Sequence, residues 1–335
     1  MNTRALLPPF PVGWYVVSLS DELKHGDIKP MKFMGEDVVL YRTQSGTANL
    51  MGAYCPHLGA HFGYGGQVVG ENIRCPFHFF EFDVNGVCQA TAYGKRIPPK
   101  AMADVFPVRE LHGLILAYFD PSGQLPDWEI PPLDMTGWSP LLQQRWDFRG
   151  HPQETTENSV DIGHFTIIHG YSNVNILKEL VTAGQYLSAK YAMTRQNAIL
   201  GKPADSEFEI HVYGLGYSQV NITVPKFGLE TRLFVLATPV DGENITLRIA
   251  VSGNGASFEP GNIHPLLGFL PRTAMLNAAI KGTFDGICND VSQDFVIWQH
   301  KRYVQPPILA EGDGPIGKYR QWAKQFYRGA EVELI

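Results

Sequence analysis

Two short loops combine cysteine with histidine in a pattern suited to metal binding. The first is Cys55-Pro56-His57 and the second is Cys75-Pro76-Phe77-His78, with the seventeen residues 58–74 between them. Two thiolates and two imidazoles fit a 2Fe–2S cluster in which two histidines replace two cysteines on one iron. A structural zinc site accepts the same ligand set, but its cysteines usually come from one loop and its histidines from another. Since each loop here offers one of each, the pattern favours the cluster.

The loops lack the disulfide that stiffens high-potential Rieske clusters. Those proteins carry an extra cysteine in each loop, and the matching positions here are Ala60 and Phe77. The remaining cysteines, Cys88 and Cys288, are predicted to be buried thiols in a reducing compartment. A cluster without this constraint suits an electron relay to a second site.

The segment Glu157–His169 is the candidate for that second site. On a single helix, Glu157, Asp161 and His164 share one face, because they are spaced by four and three residues. His169 lies about 140° further round, so the helix must distort or end between Gly163 and Gly170 if both histidines bind one metal. Two histidines and one carboxylate form the facial triad of non-heme Fe(II) oxygenases.

Taken alone, this segment is explained equally well by two half-buried histidines on an amphipathic helix. The upstream cluster favours the metal site, because an electron donor needs an acceptor.

Composition predicts a globular protein of two domains. The chain has 335 residues, 44% of them hydrophobic, and a net charge of −6, which offers no basic patch for nucleic acid. The strongest apolar run, Leu114–Phe119, is too short to span a membrane, and the N-terminus does not resemble a signal peptide. We therefore expect a cytoplasmic enzyme, with peripheral membrane association as a further possibility.

Periodicity predicts an α+β protein whose first part is built of short antiparallel strands. The proline-rich segment Pro121–Pro140 is predicted to be a linker. The later part is predicted to contain a helix near Leu177–Ser188, a hairpin turning at Asp241-Gly242, and helices over Pro271–Lys301 and Ile316–Phe326. Further strands are predicted at Trp14–Val17, Val38–Arg42, Ile73–Arg74, Phe80–Asp83, Leu114–Phe119, Glu207–Val212, Ser218–Val224 and Arg232–Ala237.

The combination of the two motifs resembles the oxygenase component of the Rieske non-heme iron oxygenases over nearly the whole chain. The resemblance implies a Rieske domain over residues 1–125 and a catalytic domain over 126–335, with a curved antiparallel sheet wrapping a helix. It also implies a third iron ligand far downstream on a helix. Gln293–Trp298 matches that pattern, which makes Asp294 the candidate beside His164 and His169. Asp290 and Asp285 remain rivals, since Asp290 lies one turn earlier on the same face.

The family also implies an electron path between subunits. Its members form head-to-tail trimers in which one subunit's cluster serves the next subunit's iron, and an acid links a cluster histidine to an iron histidine. Here those residues would be His78, Asp161 and His164. No Gly-x-Gly-x-x-Gly follows a predicted strand and no ferredoxin cysteine series occurs, so electrons from NAD(P)H must come through a separate flavin reductase, a ferredoxin or both.

Within the family, several segments look most like the branch of 3-ketosteroid 9α-hydroxylase and the cholesterol 7-desaturases. They are Cys55–His61, Ile97–Ala101, Thr238–Asp241, Ile297–Lys301 and Glu311–Ile316. This implies O2-dependent hydroxylation or desaturation of a bulky apolar substrate such as a steroid. One departure is Phe79-Phe80, where the family usually has Gly-Trp.

Two other functions stay open at this point. A ring-hydroxylating dioxygenase or demethylase acting on a smaller aromatic substrate would share every metal ligand. A Rieske-type electron carrier would keep only the four cluster ligands.

Overall fold

The computed structural model describes residues 7–94, 96–199 and 202–328. The described chain divides into two compact units. The N-terminal unit contains residues 12–132 and 238–242, and the C-terminal unit contains 7–11, 133–237 and 243–328. The domain boundary expected at residues 125/126 falls inside the first of these units and stays a prediction. Among the described residues, no helix is both long and apolar enough to cross a membrane.

The N-terminal unit consists of three small antiparallel sheets, with strand orders β1-β11-β10, β2-β3-β4-β9 and β5-β6-β7-β8. A one-turn 3-10 helix, Ser20–Glu22, follows its first strand. The strands are β1 (Gly13–Leu19), β2 (Ile28–Phe33), β3 (Glu36–Arg42), β4 (Ala48–Gly52), β5 (Gln67–Val69), β6 (Asn72–Arg74), β7 (Glu81–Phe82), β8 (Cys88–Ala90), β9 (Val105–Phe106), β10 (Val108–Leu111) and β11 (Leu114–Phe119).

Both metal-ligand loops emerge from these strands. The first follows β4, and the second connects the paired strands β6 and β7. A turn at Asn85-Gly86 then leads into β8, and Gly86 has a φ of +78°. A Cβ at Gly86 would collide with the carbonyl oxygen of Ala103, so this turn requires glycine. The sheets thus hold the two loops at defined strand ends.

The C-terminal unit is built on one seven-stranded antiparallel sheet with the order β12-β18-β17-β16-β15-β14-β13. Its strands are β12 (Leu142–Arg149), β13 (Ser172–Ala183), β14 (Tyr186–Ile199), β15 (Lys202–Tyr213), β16 (Tyr217–Val224), β17 (Leu229–Pro239) and β18 (Asn244–Asn254). Its helices are α1 (Pro152–Glu157), α2 (Ile162–Ile167), α3 (Arg272–His300) and α4 (Ile316–Ala323), with 3-10 segments at Pro225–Phe227, Pro260–Asn262, Pro265–Phe269 and Lys324–Phe326.

The helix predicted near Leu177–Ser188 is wrong. Residues 172–183 form β13, and Gly184, with a φ of +55°, turns the chain into β14. The apolar residues of β13 have a helix-like spacing, yet only Leu180 is buried, while Leu177 and Val181 are about half exposed. The paired backbone of β14 decides the conformation, because cross-strand pairing overrides a weak local helix preference.

The long helix α3 confirms the helix predicted over Pro271–Lys301. Its buried residues are spaced by three or four positions and therefore form one stripe. Two carboxylates lie within this otherwise apolar stripe. The residues of the stripe are Ile280, Phe284, Ile287, Asp290, Asp294 and Trp298. Helix geometry thus carries Asp290 and Asp294 into the interior of the unit.

The single helix expected across Glu157, Asp161 and His164 is divided in two. Helix α1 ends at Glu157, and α2 begins after Asp161, whose carboxylate accepts a hydrogen bond from the His164 backbone N–H at 3.2 Å. Aspartate favours such N-cap positions over helix interiors, because its side chain bonds the free N–H groups of the first turn. Helix α2 ends at Ile167, so the expected helix ending between Gly163 and Gly170 is confirmed.

Candidate metal centres

The four residues of the first motif lie together at the tips of their loops. Cys55 and Cys75 are buried, and the half-buried rings of His57 and His78 meet edge to face with 4.8 Å between centroids. Burial raises the pKa of the Cys55 thiol to about 11, and a metal cation opposes this effect. His78 Nδ1 is buried without a hydrogen-bond partner among the described residues, which is costly unless a metal completes it. The residues therefore fit a cluster.

The two loops share one backbone design. Cys55 N–H donates to the Ala60 carbonyl and Cys75 N–H donates to the Phe80 carbonyl, each at 2.8 Å. The fifth residue of each loop has a positive φ, +76° at Gly59 and +54° at Phe79. The departure from Gly-Trp therefore places a phenylalanine in a left-handed conformation that costs an L-residue about 1–2 kcal/mol. Phe80 stacks on the His57 ring at 4.4 Å.

The second motif forms a compact group in the C-terminal unit. Ligand atoms of His164, His169 and Asp294 all lie within 4.8 Å of one another. His169 Nε2 is 3.5 Å from Asp294 Oδ2, and the two imidazole centroids are 4.9 Å apart. Two imidazole nitrogens and one carboxylate around a common point suit a divalent iron with open positions.

Hydrogen bonds fix the ring orientation of both histidines. His164 Nδ1–H donates to the Asp161 carbonyl, and His169 Nδ1–H donates to the Gln293 side-chain oxygen at 3.2 Å. In each ring this leaves Nε2 as the unprotonated nitrogen, which is the atom a metal needs. Asp294 Oδ2 accepts from the Asn158 amide at 3.1 Å.

Burial gives this site unusual titration properties. It raises the pKa of the Asp294 carboxyl to about 6, against an opposing effect of His169. It also lowers the pKa of His164 to about 4, so this imidazole is neutral at physiological pH. A divalent cation would compensate the buried carboxylate, so the charge of the site fits a metal.

The structure separates Asp294 from its two rivals. Asp290 accepts from the Arg195 guanidinium at 2.9 Å and from the Tyr171 hydroxyl at 3.0 Å. Asp285 is exposed and paired with Lys281. Both carboxylates already have partners outside the histidine pair.

The structure places the side chains of Glu157 and Asp161 differently from the sequence-based prediction. Glu157 does not share a cavity with His164, because Arg320 binds its buried carboxylate at 2.6 and 2.9 Å. Asp161 lies beside His164, but its carbonyl, and not its carboxylate, accepts from the imidazole. The helix break is the physical reason, since it turns the Asp161 side chain toward the N-terminus of α2.

Comparison with known proteins assigns both units. The Rieske [2Fe-2S] domain matches residues 13–101, and the 3-ketosteroid 9alpha-hydroxylase C-terminal domain matches residues 117–327. The chain belongs to the Rieske oxygenases. This oxygenase is therefore an oxidoreductase with a 2Fe–2S cluster, a mononuclear iron and O2 as co-substrate, and it requires electrons from a separate protein.

Two curated relatives align with nearly all of the oxygenase. Cholesterol 7-desaturase nvd of Bombyx mori is 30% identical over 332 residues, which cover 96% of this chain and 70% of that protein. The oxygenase component of 3-ketosteroid-9-alpha-monooxygenase of Rhodococcus rhodochrous is 24% identical over 328 residues, covering 95% and 84%. The solved structure of Pseudomonas putida CBB5 NdmA with caffeine has a TM-score of 0.70 at 18% identity, covering 93% and 89%, and it supports the fold.

The triad of the oxygenase lies between two cavities of different character. A cavity of about 130 Å³ extends inward from His164, His169 and Asp294 over mainly apolar side chains. Its described lining includes Phe165, Tyr171, Met193, Phe208, Ile210, Val220, Leu233, Val235, Ile287, Val291 and Trp298. A second cavity of about 350 Å³ also touches His164 and Asp294, and it is lined by the charged residues Asp161, Lys301 and Asp313 together with Ile167, Ile168, Ile297 and Trp298.

Several functional contacts were not predicted from the sequence. Gln293 and Asn158, which orient His169 and Asp294, carry no spacing signal that would pair them with residues more than a hundred positions away. Phe165, Tyr171 and Val220 line the cavity of about 130 Å³. Ile168 lines the cavity of about 350 Å³, while Phe227 and Phe234 are buried in the protein interior.

Proposed function

We propose that this oxygenase hydroxylates or desaturates a sterol or steroid. The observation that carries the proposal is the apolar cavity on the inner side of the triad. Aromatic and aliphatic side chains make up most of its wall. Such a cavity favours a hydrocarbon skeleton and positions a C–H group by shape. The names of both curated relatives point to the same substrate class.

We assign the metal ligands as follows. Cys55, His57, Cys75 and His78 hold the cluster, and His164, His169 and Asp294 hold the mononuclear iron. When bound, the two groups supply one-electron transfer and reductive activation of O2. The protein supplies orientation, because the Asp161 carbonyl and Gln293 keep each Nε2 directed toward the metal position.

The apolar wall has a second task. It excludes water from the inner side of the triad, so that the substrate competes with few solvent molecules. Ser159 lines the same cavity and offers a hydroxyl group for proton delivery, whereas the hydroxyls of Thr155 and Thr156 donate to the backbone carbonyls of Pro152 and Leu215.

We further propose that electrons arrive on the polar side of the triad. Asp161 lines that cavity, and Lys301 and Asp313 are beside it. In a head-to-tail homotrimer, a neighbouring subunit's His78 would approach here, with Asp161 as the connecting residue between the two imidazoles. On the His164 side, the connection would be the hydrogen bond from the His164 Nδ1–H to the Asp161 backbone carbonyl. A reductase, with or without a ferredoxin, would recharge the cluster with electrons from NAD(P)H.

We also propose that the oxygenase is cytoplasmic, either free or bound peripherally at a membrane surface.

One observation favours a second candidate, a monooxygenase or demethylase of smaller aromatic molecules. The cavity beside the triad measures about 130 Å³, whereas pockets for drug-sized ligands measure roughly 300–1,000 Å³. Solved structures of similar fold contain caffeine or dicamba.

Reconstitution separates the candidates. The oxygenase would be combined with a ferredoxin and reductase, NADH, O2 and either a panel of sterols and 3-ketosteroids or a panel of caffeine, dicamba and naphthalene. We expect mass spectrometry to show a steroid product that is 16 Da heavier or 2 Da lighter, masses that follow from the gain of oxygen or loss of hydrogen. Turnover of the aromatic panel alone would refute the steroid assignment. An electron carrier would contain about two irons per chain, whereas the oxygenase holds about three.

A further inference from the structure

A second apolar cavity lies next to the one that opens on the triad. Its volume is about 270 Å³, and it is formed by strands β15 and β16, helix α3 and the 3-10 segments before that helix. Tyr171, Phe208 and Ile287 line both cavities, so the partition between them is made of three side chains.

The three side chains of the partition differ in how firmly their positions are fixed. The Tyr171 hydroxyl donates to Asp290, and Ile287 is 6% exposed in the packed face of α3. Phe208 is half-buried and contacts the Tyr171 ring edge to face at 6.0 Å. A phenylalanine has no polar group to anchor it, so packing alone holds Phe208 in the partition.

The mouth of the second cavity suits the entry of an apolar molecule. Ala278 and Gly282 line it and are exposed, and a Cβ at Gly282 would have no heavy atom within 4 Å. Ile263 and Leu267 cover the cavity from the 3-10 segments. Phe269 in the same region is 87% exposed, which continues the apolar character to the surface.

Arg195 carries the only charge among the described residues that line this cavity. Its Nη2 donates to Asp290 at 2.9 Å and to the Gly286 carbonyl at 3.1 Å. A Cβ on Gly286 would collide with the guanidinium, so this glycine permits the close approach. Guanidinium has five N–H donors, and the two acceptors use one nitrogen. Because Asp290 balances the charge, the remaining donors suit a neutral acceptor such as a ketone or hydroxyl.

We infer that the second cavity is the outer half of the substrate pocket. It holds the far end of an elongated, rigid, apolar molecule whose reacting carbon lies at the triad, and Arg195 binds a ketone or hydroxyl on that far end. The inference rests on the proposed function and extends it. Neither cavity alone reaches the volume range of drug-sized ligands, whereas the joined pocket does. Phe208 must move when such a ligand binds.

Equilibrium dialysis of the holoenzyme with two probes tests the inference. Progesterone has four fused rings and terminal ketones, and octalone is a two-ring enone about half as long, chosen to probe the inner cavity alone. Gly282→Phe places a ring in the mouth of the outer cavity, and Asn277→Phe places the same ring on an exposed position of the same helix that does not line it. We expect Gly282→Phe to raise the Kd of progesterone at least tenfold and to leave that of octalone within twofold.

Asn277→Phe is expected to leave both affinities unchanged. A ring that only slowed entry would change the binding rates and leave both Kd values as they are, so the equilibrium measurement reports occupancy of the outer cavity. If the wild type binds progesterone and Gly282→Phe binds it equally well, the outer cavity is not part of the pocket. If the wild type binds octalone and not progesterone, the steroid assignment fails and the inference fails with it.

The role of Arg195 needs a paired variant, since removal of Arg195 alone would leave Asp290 buried without its partner. Arg195→Met combined with Asp290→Asn removes both charges and keeps an acceptor for the Tyr171 hydroxyl. We expect the Kd of progesterone to rise about tenfold, which is about 1.4 kcal/mol, and that of octalone to stay within twofold. An equal loss for both probes would mean that the change disturbs the inner cavity, and Arg195 would not be the anchor.

Discussion

Replacing Asp294 by asparagine should stabilise the iron-free protein while abolishing iron binding. Burial raises the pKa of this carboxyl from 3.8 to about 6, so the folded state disfavours the ionised form. At 1.36 kcal/mol per pKa unit, the cost at pH 7.5 is about 3 kcal/mol. Asparagine has nearly the same shape and carries no charge. Its carbonyl oxygen, placed where Asp294 Oδ2 lies, can keep the hydrogen bond from the Asn158 amide.

The assay is calorimetric unfolding of chelator-treated protein that retains the cluster absorbance. For a unit of this size, about 3 kcal/mol raises the Tm by roughly 6–12 °C. Asp285→Asn serves as the control, because Asp285 is exposed on the same helix and is expected to change stability by less than about 0.5 kcal/mol. Added Fe(II) should raise the Tm of the wild type and leave that of Asp294→Asn unchanged, since only the wild type binds it.

The pH dependence provides a second check. The folded-state pKa of Asp294 is raised, so its ionisation destabilises the fold fully above about pH 6, less at lower pH, and not at all below about pH 4, where folded and unfolded states are both protonated. The stability difference between the variant and the wild type should therefore vanish near pH 4. Equal Tm values at pH 7.5, or a difference that persists at pH 4, would refute the argument from burial.

Three further perturbations test other parts of the structure. Phe79→Gly should be more stable than Phe79→Ala by about 1 kcal/mol in denaturant melts, because only glycine adopts the positive φ without strain; the reverse order would contradict the loop geometry. Glu157→Ala should cost about 3 kcal/mol by leaving Arg320 unpaired, with full iron content; iron loss without destabilisation would restore Glu157 to the site. Asp161→Asn removes the charge of the carboxylate proposed to meet His78 of a neighbouring subunit, so it should retain both metals yet oxidise the reduced cluster slowly in single-turnover mixing with substrate and O2; normal oxidation would exclude the Asp161 carboxylate from the electron path.

Local patterns predicted some parts of the fold and failed at others. The strand Leu114–Phe119 was predicted because it is a continuous apolar run, and the helix α3 was predicted from its helical periodicity. The segment 177–188 was wrongly predicted to be a helix, and the stretch from Glu157 to His164 was wrongly predicted to be one continuous helix. In the first, pairing with a neighbouring strand outweighs the spacing of apolar residues, and in the second, the side chain of Asp161 caps a new helix.

The sequence by itself identified the candidate ligands of both proposed metal sites except the third iron ligand. Cys55, His57, Cys75 and His78 are close along the chain in two loops, and His164 and His169 lie in one segment, so spacing alone identifies them as candidates. Such ligands are local, and their chemistry is restricted to a few metals.

Only the tertiary structure decided which acid joins the two histidines. Asp290 and Asp294 share one face of α3, and periodicity treats them alike. Arg195, on strand β14, donates a hydrogen bond to the Asp290 carboxylate, whereas Asp294 Oδ2 lies 3.5 Å from His169 Nε2. The shape of the pocket was equally inaccessible, because its wall combines strands, helices and turns far apart in the chain, and a cavity exists only where their packing leaves space.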